Sequence, residues 1–199
     1  MVDQSENKEG PGPSVETLSV SDLVEWKDKR GEDAFRRRYP HPFLVLRYSP
    51  PDDPEEVDLQ TVETKLSDFD HEDKRKPIVK VVPLIKSNRN AFKSKITLGR
   101  AKNNDVIIRA AKVSKVHAAF LVGKDPWQLL DMGSVNGTVI NGDRLEKNQS
   151  VDLKSGDMIS FWRYVFEYQD LDSFIAILVK FAKVKDTLPP SPSTPGQDW

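Results

Sequence analysis

Ser134-Val135-Asn136-Gly137-Thr138-Val139-Ile140-Asn141-Gly142 is the stretch on which the reading of this chain turns. A β-branched run, Thr138-Val139-Ile140, lies between two Asn-Gly pairs. Asn-Gly is a tight-hairpin signal because both residues accept positive φ. Asn141-Gly142 already closes a hairpin, so Asn136 is available for a second task. Two further polar signatures lie upstream, each at the boundary of an apolar run. They are Gly99-Arg100 behind Ile96-Thr97-Leu98, and Ser114-Lys115-Val116-His117 ahead of Ala118-Ala119-Phe120. All three belong to loops at strand ends. They bring a guanidinium, a hydroxyl, an ammonium and a carboxamide onto those loops. Such an inventory suits an anion, and a phosphate group in particular. It holds no nucleophile–base pair.

Outward from these loops, residues 77–169 read as a succession of short strands. The runs are Ile78–Val82, Lys95–Leu98, Val106–Ile108, His117–Val122, Trp127–Leu130, Thr138–Ile140, Ser150–Leu153, Met158–Trp162 and Tyr164–Tyr168. They are β-branched or aromatic, and Gly, Asn, Asp or Pro punctuates most gaps. Many short strands without intervening helical periodicity predict a mainly β chain, an antiparallel sandwich or barrel.

Gly-Arg, Ser-x-x-His, Ser-x-Asn-Gly-Thr and Asn-Gly, in this order and at strand boundaries, resemble the forkhead-associated (FHA) domain, a phosphothreonine-binding module. The resemblance covers about residues 77–169. It implies an FHA-like antiparallel β-sandwich, usually eleven-stranded in the family. It also implies that Arg100, Ser114 and Lys115 meet the phosphate. Arg100 would grip two oxygens through its planar fork. Ser114 would donate its hydroxyl, against the plainer reading of a loop residue bonding its own backbone. Lys115 would add charge or backbone contacts, and a solvated side chain is an equally weighted reading. Asn136 would hold the main chain of the bound peptide, since a carboxamide both donates and accepts. Val135 stands where family members often carry Thr or Ser, so one hydroxyl contact is missing. Lys112 lies where related domains read the side chain three residues beyond the phosphothreonine, and by charge it would favour Asp or Glu. His117 would brace the loops from inside. Gly99, read as a sharp turn that presents Arg100, and Gly137, Thr138, Asn141 and Gly142 are read as architecture.

The function expected is a non-catalytic phosphothreonine-peptide binding module that recruits a partner in Ser/Thr-kinase signalling. The partner is a phosphothreonine-containing protein or peptide, a Ser/Thr protein kinase or its substrate. The alternative is a phospho-independent structural or assembly scaffold on the same loop face. No catalytic constellation, cofactor or metal is expected: His41 and His71 are remote from His117, and cysteine is absent. The lack of cysteine fits a reducing compartment. The polar start of the chain and the short apolar run Phe174–Val179 predict a cytoplasmic protein with no membrane span.

Charge divides the chain. Residues 77–169 hold fifteen Lys/Arg against eight Asp/Glu, whereas residues 1–76 hold twelve against nineteen. A basic core favours anionic ligands, and the acidic arm disfavours nucleic acid as a partner of the whole chain. The same contrast predicts an intramolecular contact between the loop face and acidic residues 52–73. The remaining divisions are a disordered tail over 1–18, a helix plus short strand over 19–48 and an acidic linker over 49–76. A C-terminal helix over 170–186 and a Pro-rich tail over 187–199 follow the sandwich. Ser21 is the expected helix cap near the start. Gly31 weakens the first helix enough that two shorter helices fit equally well. Phe174, Ile177, Leu178 and Phe181 are expected on one face of the last helix.

Overall fold

The computed structural model describes residues 17–48 and 80–187. The linker over 49–76 with its acidic stretch 52–73, Ile78-Val79 and nearly all of both tails lie outside the described residues. The elements are β1 (Leu18–Ser19), α1 (Val20–Arg30), α2 (Glu32–Arg38), β2 (Phe43–Tyr48), β3 (Lys80–Pro83), β4 (Lys95–Gly99) and β5 (Val106–Ile107). They continue with β6 (Ala118–Leu121), β7 (Gln128–Asp131), β8 (Thr138–Ile140), β9 (Asp143–Arg144) and β10 (Ser150–Asp152). β11 (Met158–Phe161), β12 (Tyr164–Gln169) and α3 (Leu171–Thr187) complete the fold.

Two sheets form the mainly β sandwich. One runs β1-β3-β2-β12-β11-β8-β9 and the other β10-β7-β6-β4-β5. Every pairing is antiparallel except β4 with β5, where Leu98 lies opposite Val106. Ile96, Leu98, Ala118, Phe120 and Leu129 from one sheet share a buried core with Leu44, Val82, Ile159, Phe161 and Phe166 from the other. Strand alternation then exposes a second face on the larger sheet. Phe43, Val45 and Val81 point away from the inter-sheet core and pack with Val20, Leu23, Val24, Phe35, Phe174, Ile175 and Leu178 of the helices. Phe43 stacks on Phe174 with ring centroids 3.9 Å apart. Each such buried side chain contributes about 1.5–3 kcal/mol, so the helices form a firmly packed third layer.

β2 is an interior strand of the larger sheet, between β3 and β12. It is buried on both faces, which explains the unbroken apolar run Phe43-Leu44-Val45-Leu46. Gly31, at φ 82, separates α1 from α2. The cap of α1 is Ser19, whose hydroxyl accepts from the Asp22 N–H at 3.1 Å, and not Ser21. Starting the helix there turns Val20, Leu23 and Val24 toward the sheet. Asp170 caps α3 by accepting from the Ser173 N–H at 2.8 Å. In α3 it is Ile175, more than Ile177, that joins Phe174 and Leu178 in the core.

The β11–β12 hairpin has a two-residue connection, Trp162-Arg163, because Phe161 pairs with Tyr164. Trp162 has φ 59 and Arg163 is not among the positive-φ residues, the φ signs of a type II′ turn. Glycine is the usual occupant of that first position. Asn141 and Asn148 also have positive φ, which asparagine tolerates. Tryptophan does not, and holding it there costs about 1–3 kcal/mol.

Candidate functional site

The end of β4 is built by a close approach of two backbones. A Cβ on Gly99 would stand 2.5 Å from the Lys115 carbonyl oxygen and 2.9 Å from that of Ser114. Gly99 is not in the positive-φ region, so its role is this contact and not the sharp turn expected from sequence. Beyond it, the Arg100 N–H donates to the Ser114 carbonyl at 3.0 Å, and the Ala101 N–H to that of Lys115 at 3.1 Å. Asn104 adds its carboxamide, donating to the carbonyls of Lys115 (2.6 Å) and Ala101 (2.9 Å). The Arg100 and Ser114 loops are thereby zipped together.

A third loop joins them. The Val135 N–H donates to the Ser114 hydroxyl oxygen at 3.0 Å, and the Asn136 carboxamide donates to the Lys112 carbonyl at 2.5 Å. Ser114, Lys112, Val135 and Asn136 thus form one ring of contacts. Arg100, Lys112 and Lys115 are exposed. Among the described residues, their side-chain nitrogens have no hydrogen bond or ion pair.

His117 and Asp131 hold this arrangement from beneath. His117 is fully buried. Its Nδ1 accepts from the Ser114 N–H at 3.2 Å, which assigns the ring proton to Nε2, and Nε2 donates to the Gly137 carbonyl at 3.1 Å. Burial pushes its pKa down, against the opposing pull of the Gly137 carbonyl and the Asp131 charge, so the ring stays neutral. Asp131 accepts from the N–H groups of Gly133 and Ser134 (2.9 Å each) and the hydroxyls of Ser134 and Thr138 (2.7 Å each). Burial alone would raise its pKa, but these four donors outweigh it and hold the carboxyl below its ordinary value.

Gly137, at φ 82, carries a second constraint. A Cβ there would lie 2.5 Å from Nε of Arg144, so that guanidinium rests against the Gly137 backbone. Asn141 and Gly142 occupy the other end of β8, three residues or roughly 10 Å along the strand. Asn141 donates to Asp157 at 2.8 Å and accepts from the Met158 N–H at 2.9 Å, bracing the β10–β11 connection. The structure therefore gathers Gly99, Arg100, Lys112, Ser114, Lys115, His117, Val135, Asn136, Gly137 and Thr138, and sets Asn141 and Gly142 apart. Sequence reading missed Asn104, Asp131 and Arg144. Asp131-Met132-Gly133-Ser134 has the form of an Asx turn, the one local signal among them. Among the described residues no group of three or more His and acidic side chains is arranged to hold a metal ion, and no helix is long and apolar enough to cross a membrane.

Residues 96–162 match the family model of the FHA domain. An FHA domain-containing protein of Arabidopsis thaliana is 35% identical over 72 residues, spanning 36% of this chain and 19% of that protein. An oxoglutarate dehydrogenase inhibitor of Corynebacterium jeikeium is 38% identical over 66 residues, 33% of this chain and 44% of that protein. Among solved structures, Mycobacterium tuberculosis EmbR in complex with a low affinity phosphopeptide shares 28% identity. It covers 38% of this chain and 20% of that one, with a TM-score of 0.36. The chain spans less than half the length of these curated relatives.

Proposed function

The chain carries an FHA domain, and from that premise we propose that its Arg100–Ser114–Asn136 loops bind a phosphothreonine peptide without catalysis. Ser114 carries the reading. Its hydroxyl oxygen already accepts from the Val135 N–H, and among the described residues nothing takes its proton. That proton is free to be donated to a phosphate oxygen. Arg100 and Lys115, without polar side-chain partners, stand on the two loops zipped around it. A phosphate carries three acceptor oxygens and close to two negative charges, which matches this set. Asn136, anchored to the Lys112 carbonyl, keeps its carboxamide oxygen for the peptide N–H. The braces beneath hold the loop backbones before the ligand arrives, so the ordering left to binding is chiefly that of the Arg100 and Lys115 side chains.

The partner in this reading is a protein phosphorylated by a Ser/Thr protein kinase, or the kinase itself, and the chain acts by recruitment. The inhibitor name of the Corynebacterium relatives supports a binding role over an enzymatic one. A second reading, phospho-independent assembly on the same loops, is favoured by Val135, which is 78% exposed where a hydroxyl would serve a phosphate better.

Titrating the full chain with one peptide in phosphothreonine and unmodified threonine forms separates the two. Binding of the phosphorylated form alone, weakening as ionic strength rises, is the expected result. Equal affinity for both forms would eliminate the phosphopeptide reading.

A further inference from the structure

We propose that Trp162 is a specificity-determining residue of the phosphopeptide site, stacking on a bulky apolar side chain that flanks the phosphothreonine. The inference rests on the phosphopeptide reading and begins from the backbone. Trp162 occupies the first position of a two-residue hairpin with φ 59, a place suited to glycine. Strain held in a defined native conformation is a pointer to function when the residue lies at a site.

Register places it there. β11 pairs with β8 through Phe161 opposite Thr138 and Ser160 opposite Val139. Phe161 and Thr138 are the last pair at one end of this ladder. Trp162, the residue after Phe161, and Gly137, the residue before Thr138 and after Asn136, therefore both leave the sheet at the same end of the β8–β11 pair. The Arg144 guanidinium rests against the same Gly137. Phe161, next to Trp162, meets the bracing His117 edge-on at 5.6 Å. The hairpin tip therefore lies at the same end of the sandwich as the loops around Ser114.

The chemistry at the tip is an aromatic surface with cations around it. The Trp162 ring is half-buried, packed against the edge of the inter-sheet core, with Tyr164 at 6.3 Å. The Arg163 guanidinium lies 5.4 Å from the ring centroid. An indole left partly in water at this end of the sandwich gains by burying the part of its ring that neither Arg163 nor the core edge covers against an apolar residue of the ligand. Arg144 and Arg163 stand ready for the acidic residues and phosphate around that contact.

Packing against the core edge is the competing explanation, and the substitutions distinguish the two. Phosphothreonine peptides degenerate at the flanking positions would be bound to wild type, Trp162→Gly and Trp162→Asn, with thermal unfolding of each. Glycine and asparagine both accept positive φ, so the fold is expected to persist with an unchanged or higher melting temperature. Wild type should prefer a bulky apolar residue at one flanking position by roughly fivefold over alanine. Both variants should lose that preference while still requiring the phosphate. Trp162→Phe should keep most of it.

No apolar preference in wild type, or a preference unchanged in the variants, would overturn the proposal. So would unfolding of both variants, since Trp162 would then be held for packing. The failure of the parent reading looks different: binding would be indifferent to phosphorylation and to Arg100→Ala, whatever the flanking residues.

Discussion

Asp105 and Arg100 lie five positions apart between β4 and β5, and the fold treats their charges in opposite ways. The Asp105 carboxylate is buried and meets Lys86 at 2.8 and 2.9 Å, the Ser87 N–H at 2.8 Å and hydroxyl at 2.6 Å, and the Thr97 N–H at 2.8 Å. Asn90 adds a further donor at 3.1 Å. Arg100 has only its backbone held, by the Ser114 carbonyl, and its guanidinium remains exposed without such partners among the described residues. A charge that shapes a loop is saturated and taken out of water. The Arg100 charge stays wet on a backbone that others have made rigid, as the proposed role in binding requires. Stability and binding should therefore respond to different residues within one loop.

Asp105→Ala should produce the largest effect. It leaves Lys86 and several N–H and O–H donors without their acceptor, a loss of about 3–5 kcal/mol in denaturant unfolding. Arg100→Ala should do the reverse. Its unfolding should stay within about 0.5 kcal/mol of wild type. Its phosphopeptide affinity should fall by about 1.5–3 kcal/mol, roughly tenfold to 150-fold by fluorescence polarisation. If Arg100→Ala unfolded the protein or left binding intact, the division between the two charges would be wrong.

Acid titration sharpens the same contrast without a mutation. The partners of Asp105, against the opposing effect of burial, lower its pKa from 3.8 to about 2, and Asp131 is lowered too. A depressed carboxyl pKa means that the unfolded chain binds protons first as pH falls. The stability from Asp105 is thus complete above about pH 4 and disappears toward pH 2, a change of about 2 kcal/mol. His117 is lowered as well, chiefly by burial, so its share is complete above its ordinary value of 6.5 and declines below that. Urea midpoints of the unliganded protein should show a shallow loss below pH 6.5 and a steeper one below pH 4. Asp105→Asn should flatten the steeper step, and a step that persists in this variant would assign it to other carboxyls.

The loops of the candidate site were legible because each begins or ends a β-branched run, which makes a strand boundary visible in a short window. Arg100, Ser114, Lys115 and Asn136 stand on those boundaries, and the structure brings their backbones together. The place of β2 was not legible. Its apolar run announces a strand, but its pairing joins positions as distant along the chain as Phe43 and Gln169, and nothing local specifies that partner. Gly99 was readable as special, yet only the approach of the Lys115 carbonyl reveals why. Asn141-Gly142 was correctly a turn, but a strand as short as β8 suffices to carry it to the far end. Arg144 had no signal, because its relation to Gly137 comes from the pairing of β8 with β9.

The smallest expected effect concerns Val135, the one member of the site whose residue type does not suit a phosphate. Its N–H is already engaged by Ser114, so the backbone is held whatever the side chain is. With 78% of the residue exposed, exchanging a methyl for a hydroxyl has almost no packing consequence. Val135→Thr should thus leave unfolding within about 0.5 kcal/mol of wild type. A hydroxyl there adds one donor beside that of Ser114. A single additional hydrogen bond at a wet site is worth about 0.5–1 kcal/mol, or roughly twofold to fivefold tighter phosphopeptide binding. Val135→Ala, which removes apolar surface without adding a donor, should not reproduce the gain. If threonine and alanine behaved alike, position 135 would lie outside the reach of the phosphate. The missing hydroxyl would then have no bearing on affinity, and Arg100, Ser114 and Lys115 would carry the anion alone.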